Sequence, residues 1–315
     1  EIPLRLVGSE MCIRDRFIVV IKKTKEVFYM YKIAVDIGGT NIKLAVINNE
    51  LNIIDYKTIA TPDNIHILIT NEIYLIIDAF IKKYQLKNPH IGISSAGVVD
   101  STRGEIVYTG PTIQNFDGTN FLNVFKELSS NITVYNDVDA ALLGELSLHN
   151  YEENNIFCLT LGTGIGGAFY NKSIGIYQGA RHRANEIGYL LYRSSDDKTF
   201  EQRASTSALK DLMLLHHFKY DTNVPKLFEL AEENDTVAIN ILEEWSHSVA
   251  EGIAQLQIIY DPELILIGGG ISSQKDTLLK YIKPKIHYYL PPHYGIARLQ
   301  TTRSGNNAAL YGAIQ

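Results

Sequence analysis

The sequence predicts a two-lobed α/β fold, and three features carry the prediction. Short β-branched segments alternate with amphipathic stretches along most of the chain. One grammar, a strand, a glycine turn and a returning strand, occurs twice, at 32–47 and at 156–170. The chain has 315 residues, enough to bury a large core and divide into two domains.

Residues 32–35 are apolar and lead through Asp36 into Gly38-Gly39-Thr40, and 41–47 resumes as a strand, so the pair reads as a hairpin. Residues 51–56 supply a third antiparallel strand, stopped by Thr61-Pro62-Asp63. Apolar residues near helical spacing predict a helix over 65–84. Short strands follow at 91–94, before Ala96-Gly97, and at 132–135, ending in Asn136-Asp137; 138–148 reads as a helix with small residues on one side. In the second half 156–161 is a strand, 162–167 is the turn Gly-Thr-Gly-Ile-Gly-Gly, and 168–170 starts the return.

A long amphipathic helix is expected over 237–260, with Ile241, Trp245, Val249, Leu256 and Ile259 near its apolar face, ended by Asp261-Pro262. Residues 264–267 form a buried-type strand running into Gly268-Gly269-Gly270. Residues 275–287 read as a helix broken or kinked at Pro284 and closed by Pro291-Pro292, and 306–314 as a last small-residue helix. No low-complexity linker separates the halves. The expected N-terminal lobe is 30–145 and the C-terminal lobe 146–315, with about 306–315 packing back on the first.

Composition narrows the function. Charged residues are 20% of the chain and hydrophobic ones 45%, as in globular proteins. With 29 basic against 35 acidic residues and no basic block, nucleic acid is not an expected partner. Two cysteines, Cys12 and Cys158, exclude a disulfide scaffold and a multi-cysteine metal site. No apolar run in the leader is long enough to span a bilayer, so no membrane partner and a cytoplasmic location are expected. The regular pattern begins at Met30. Residues 7–16 resemble a translated sequencing-adapter fragment, and 1–29 are expected to be a non-native or disordered leader.

Two glycine turns facing each other suggest a phosphate clamp, because each exposes backbone N–H groups and lets a ligand approach closely. Asp36 stands just before the first turn. A carboxylate repels phosphate but can act on it through Mg²⁺. Thr40 and Thr163 can donate hydroxyls, and Lys43 on the returning strand joins Gly38, Gly39, Gly162 and Gly164 in the candidate phosphate set. The first turn is not a dinucleotide fingerprint, since a strand follows it, and no Walker loop is present. Gly268, Gly269 and Gly270 fit either helix-start geometry or close approach to a nucleoside. Asn136-Asp137 fits either an Asx turn or a catalytic carboxylate.

Several ordered motifs then combine: Asp36-Ile37-Gly38-Gly39-Thr40, Gly92-Ile93-Ser94-Ser95-Ala96-Gly97, Asn136-Asp137-Val138-Asp139-Ala140, Leu161-Gly162-Thr163-Gly164-Ile165-Gly166-Gly167, Asn185-Glu186-Ile187-Gly188 and the 305–313 segment. Together they resemble the ROK family of sugar kinases over 30–315. Within it the chain looks closest to staphylococcal N-acetylmannosamine kinases that lack a zinc motif. The resemblance implies an actin-like ATPase (ribonuclease H-like) fold with a cleft between its lobes, ATP and Mg²⁺ as cofactors, a small-molecule sugar substrate and a homodimer. It implies Asp137 as the base toward the sugar 6-hydroxyl, with Asn136, Glu186, Glu201, Asn115 and Gly97 on the sugar. It implies ATP along the glycine turns and the Gly268-Gly269-Gly270 triplet.

One departure is chemical. Family members place a histidine three residues after the first glutamate and then a cysteine cluster. Tyr189 stands at the histidine position here, and 190–201 contains no cysteine. No structural zinc is therefore expected; His182 lacks partners, and packing by Tyr189, Leu190, Leu191 and Tyr192 is expected to order the Glu186 loop instead. Val98 replaces the arginine that animal N-acetylmannosamine kinases place beside the glycine corresponding to Gly97. The expected activity is ATP-dependent phosphorylation of N-acetylmannosamine at the 6-hydroxyl. The alternatives are a glucokinase or other hexose kinase of the same family and, in another class, a sugar-responsive transcriptional regulator.

Overall fold

The computed structural model describes residues 31–110 and 113–315; the leader expected over 1–29 lies outside the described residues. The first lobe is built on strands β1 (Lys32–Ile37), β2 (Asn41–Ile47) and β3 (Ile53–Ala60), helix α1 (Ile69–Tyr84), β4 (Ile91–Ser95), β5 (Val98–Asp100), β6 (Glu105–Tyr108), α2 (Phe121–Val124) and β7 (Ile132–Asn136). Its sheet has the order β3-β2-β1-β4-β7, antiparallel across β1, β2 and β3 and parallel from β1 to β7. Helix α3 (Asp137–Leu148) follows. The second lobe has β8 (Asn155–Leu161), β9 (Ile165–Asn171), β10 (Gly175–Ile176), α4 (Phe200–Ala204), α5 (Thr206–Leu215), α6 (Val224–Glu232), α7 (Thr236–Tyr260), β11 (Leu264–Gly268), α8 (Lys275–Ile286), β12 (Arg298–Thr301) and α9 (Ala308–Ala313).

The second sheet, β10-β9-β8-β11-β12, repeats the first strand for strand in direction. Its parallel strand β11 is buried along its whole length, as is β4 in the first sheet, which is why both read as continuous apolar runs. The two sheets form the two lobes of an actin-like, ribonuclease H-like α/β fold with a central cleft. No described helix is long and apolar enough to cross a membrane.

Four elements depart from the sequence expectation. Residues 65–68 do not join α1. Asp63 Oδ1 accepts the N–H groups of Ile65 and His66, and Asn64 Oδ1 accepts that of Ile69, so side chains take the place of the first helical turn. Helix α8 continues through Pro284, which leaves the Lys280 carbonyl without its i+4 N–H, and a short 3₁₀ turn, His287–Tyr289, follows. A 3₁₀ turn, Gly270–Gln274, stands between β11 and α8. On α7, Ile241, Trp245, Val249 and Leu256 are buried, but Ile259 is exposed, because Tyr260 takes the core position against Phe157 and Phe169.

Helix α9 returns to the first lobe and packs on β1, β4 and α3. Small residues make this possible. A Cβ on Gly312 would lie 1.7 Å from the Ala140 carbonyl oxygen, one on Gly144 1.8 Å from that of Ala308, and one on Gly92 2.2 Å from that of Ala313. Thr133 Oγ1 donates to the Ala313 carbonyl (2.7 Å) and Lys32 Nζ to that of Ile314 (2.9 Å). The other side of α3 meets the second lobe through Val138 and Leu142, against Ile156, Cys158 and Leu266. Glu145, fully buried on α3, accepts the N–H groups of Arg303 and Ser304 and the Tyr151 hydroxyl. Helix α3 is thus fixed from both sides, with its N-terminus at the cleft.

Candidate active site

Asp137 is the first residue of α3, directly after β7. Asn136 caps the helix: its Oδ1 accepts the N–H groups of Val138 (2.8 Å) and Asp139 (3.2 Å), while its Nδ2 donates to the Gly97 carbonyl (2.9 Å). The Asx geometry is present, and one amide hydrogen of Asn136 is left for a ligand. Gly97 has φ +99°, and a Cβ there would sit 2.5 Å from the Tyr108 carbonyl oxygen, so glycine is required for the β5–β6 hairpin to close against the end of β4.

The electrostatics centre on carboxylates. Burial, followed by the charge of Asp36, pushes the Asp137 carboxyl up to about 7; the Val138 N–H bond pulls it back and the Glu186 charge adds to the rise. Asp139, buried one turn-step further, is also raised to about 7 by burial, with Gln178 Nε2 (3.1 Å) offsetting part of the rise. Glu186 is raised by burial and by the Glu201 charge. Three carboxyls therefore favour their protonated forms more than free ones do.

A cavity of about 700 Å³ lies over Asp137. It brings together Gly97, Asn136, Asp137, Gly162, Thr163, Gly164, Glu186, Glu201 and Gly269 from the sequence-predicted set. Glu201 is tied to the second glycine turn. Its Oε2 accepts the Ile165 N–H at 2.8 Å, and a Cβ on Gly164 would lie 2.5 Å from the same oxygen. A second cavity of about 370 Å³ meets the first at Gly162 and Thr163 and is lined beyond them by Lys210, Asn223 and Gly270.

Other predicted residues stand elsewhere. Asn115 does not line the cavity; it sits in a left-handed turn (φ +51°) with its carbonyl accepting from Asn64 Nδ2. Asp36, Gly38, Gly39, Thr40 and Lys43 are also outside the lining, although Asp36 acts on Asp137 through its charge. Lys43 Nζ is held by Asp36 Oδ2 (3.1 Å) and the Asn306 carbonyl (2.8 Å), and Ser94 Oγ donates to Asp36 Oδ1 (3.0 Å). Gly268 faces neither cavity, since it packs between Thr160 and Thr302. The N–H groups of Gly38 and Gly162 close their own turns onto the Asn41 and Gly164 carbonyls. They are consumed, whereas those of Gly39, Thr40, Thr163 and Gly164 make no hydrogen bond among the described residues.

The loop after Glu186 is ordered differently from expectation. Tyr189, Leu190 and Tyr192 are exposed, and only Leu191 packs against the core. Hydrogen bonds hold the loop instead: the Phe200 N–H donates to the Leu190 carbonyl (2.9 Å) and Arg203 Nη2 to that of Leu191 (2.8 Å), while Arg193 pairs with Glu251. Among the described residues no cluster of three or more His, Cys, Asp or Glu is placed to hold a metal ion. His182 pairs with Asp100 at 3.3 Å. The sequence reading missed Asp139, Asn185, Tyr108 and Arg183. Of these, Asp139 had a signal, a second carboxylate in the first turn of the helix that Asp137 opens.

Comparison with known proteins fits this geometry. A model of the ROK family matches residues 32–315, both lobes entire. The chain belongs to the ROK family. The β-glucoside kinase of Listeria innocua is 26% identical, over 89% of this chain and 95% of its own. The glucokinase of Halalkalibacterium halodurans is 27% identical, over 89% of this chain and 92% of its own. Among solved structures, Lmo2764 of Listeria monocytogenes, a proposed N-acetylmannosamine kinase, superposes with a TM-score of 0.77 at 25% identity, covering 90% of this chain and 97% of that one.

Proposed function

We propose that this carbohydrate kinase transfers the γ-phosphoryl group of ATP to the 6-hydroxyl of a glucose-type hexose, with Asp137 as the base. The observation that carries the reading is one cavity joining Asp137 to the Gly162–Gly164 turn. A hydroxyl bound at Asp137 and a phosphate at the turn then share one space. Phosphoryl transfer asks little covalent chemistry of a protein; it asks for positioning and charge.

The sugar sits over Asp137, with Glu186 and Glu201 as acceptors for its hydroxyls. ATP enters as its Mg²⁺ complex, a substrate. The free N–H groups of Thr163 and Gly164 face the phosphates, and the second cavity, behind Gly162 and Thr163, takes the nucleoside. Asp36, fixed by Lys43 and Ser94, would act on the metal through water. Asp137 must be ionised to orient the hydroxyl and take its proton. Burial is the main cause of the raised Asp137 carboxyl and the Asp36 charge the next; a cation near Asp36 would offset that second part, so nucleotide binding would favour the base form.

Glucose-type substrates are favoured by the named relatives, a β-glucoside kinase and a glucokinase. N-acetylmannosamine is the second reading, favoured by the proposed activity of Lmo2764 and by the motif resemblance. A coupled ADP-release assay over glucose, mannose, N-acetylglucosamine and N-acetylmannosamine separates them. The higher kcat/KM for glucose supports the first reading and for N-acetylmannosamine the second; no turnover with any sugar sinks both.

A further inference from the structure

A third cavity, of about 1010 Å³, lies between helix α8 and the edge strand β12. Four cations line it, Lys275 and Lys283 from α8 and Arg298 and Arg303 from β12 and the turn after it, against one carboxylate, Asp276. In a chain of formal net charge −6, that local excess of positive charge marks a place for an anion. Lys275 and Lys283 make no hydrogen bond or ion pair among the described residues. Arg298 pairs with Glu153, and Arg303 lies over the Tyr151 ring at 5.0 Å. Both arginine side chains are half exposed, and a guanidinium carries five N–H donors, so each keeps donors open.

The topology sorts these cations into two pairs. Asp276, Leu279 and Lys283 recur at helical spacing, so one face of α8 borders the cavity. Strands β11 and β12 are parallel and α8 connects them, so α8 runs back antiparallel to β12. Lys275, at the start of α8, therefore lies toward Arg303, past the end of β12, and Lys283 lies toward Arg298, at its start. The Thr302 hydroxyl donates to Ser272 Oγ (3.4 Å) and fixes the first of these ends. Eight residues at helical rise set the two ends about 12 Å apart, a span that a single phosphate cannot bridge.

The geometry points to a binding site for a sugar bisphosphate, an anion with two separate phosphates on a hydroxylated carbon chain. One phosphate takes Lys275 and Arg303 and the other Lys283 and Arg298, each meeting a lysine and an arginine. Asp276 selects the class: it repels an unbroken chain of phosphates and accepts from the hydroxyls of a carbon chain. The 3₁₀ turn Gly270–Gln274 is the wall between this cavity and the proposed nucleoside cavity, and Gly270 and Ser273 line both. Both occupants are polyanions, so each weakens binding of the other across that turn. This coupling rests on the kinase reading; the bisphosphate site does not.

Calorimetry on the full chain without nucleotide tests the site, with fructose 1,6-bisphosphate, inorganic phosphate and tripolyphosphate as probes. The expected result is one bisphosphate per chain, bound about tenfold or more tighter than phosphate and more weakly as salt is raised. Lys283→Gln and Arg298→Gln each weaken it about tenfold, and Lys283→Arg keeps it. Neither residue lines the proposed sugar or nucleoside cavity, so both variants keep the wild-type kcat and KM for ATP measured without bisphosphate. The rise in KM for ATP that bisphosphate causes in the wild type is lost in both. Absence of bisphosphate binding, affinity no greater than for phosphate, or binding that neither variant weakens would overturn the proposal. So would tripolyphosphate binding more tightly than the bisphosphate and losing affinity in both variants. Failure of the kinase reading shows separately, as absence of ADP formation with every sugar while the calorimetric result stands.

Discussion

The Glu201 carboxylate accepts the backbone N–H of Ile165 at 2.8 Å, so a side chain proposed to meet the sugar fixes the shape of the turn proposed to hold phosphate. One residue would then serve both halves of the reaction. Glu201→Ala removes a charge-assisted bond and a wall of the cavity together. Its kcat/KM is expected to fall about 10²-fold for both ATP and sugar, as steady-state kinetics with each substrate varied in turn will read. Glu201→Gln keeps an acceptor for Ile165 and should lose less. A loss confined to the sugar would separate Glu201 from the turn.

The Asp137 carboxyl, pushed up to about 7, predicts a pH dependence. The base is the ionised form, so kcat/KM for ATP, which reports the nucleotide-free protein, rises with pH through a midpoint near 7. Asp36 is the largest charge raising it, so Asp36→Asn lowers the Asp137 midpoint. Carboxyl-detected NMR titration of the protein without nucleotide measures this directly.

Stability has the opposite slope. Asp137 and Asp139 both titrate near 7 in the folded protein, above the ordinary 3.8, so the folded state holds these protons more tightly. Their contribution is fully present below about pH 4 and is lost as pH rises through 7. Asp139→Asn, which can keep the Gln178 contact, is expected to gain about 1–3 kcal/mol at pH 8 and nothing near pH 4, by urea denaturation at the two values. A variant that gains equally at both would show that Asp139 is ionised without cost.

The α3–α9 contact predicts a severe packing defect. A Cβ at Gly312 meets backbone, 1.7 Å from the Ala140 oxygen, and backbone cannot swing aside. Gly312→Ala should cost about 3 kcal/mol or more and lower the melting temperature accordingly. At Gly164 the clash is with the Glu201 carboxylate, a movable group, so Gly164→Ala should lower activity far more than stability.

Much of this was readable in the residues. The two glycine hairpins and the Asn136-Asp137 strand end were legible because a strand period, a turn and a charged residue lie adjacent in the chain, whereas Glu186 was reached only through the motif resemblance. Three helices of the second lobe were passed over although their caps were written out: Gln202 accepts the Thr199 N–H before α4, and Ser205 and Asn223 cap α5 and α6. What sequence could not carry was pairing across distance. The consumption of the Gly38 and Gly162 N–H groups, the distance of Asn115 from the cavity and the bond from Arg203 to Leu191 depend on how the turns close and which segments meet. The expected packing role of Tyr189 failed because an exposed tyrosine and a buried one have the same local pattern.

The central claim is that Asp137 orients and deprotonates the sugar hydroxyl. ATP-dependent sugar phosphorylation by Asp137→Asn at pH 8, set beside the wild type, tests it most directly. Asparagine keeps the volume and removes the base. The account predicts a fall in kcat of about 10²–10⁴-fold with an unchanged circular dichroism spectrum; phosphorylation at the wild-type rate would contradict it.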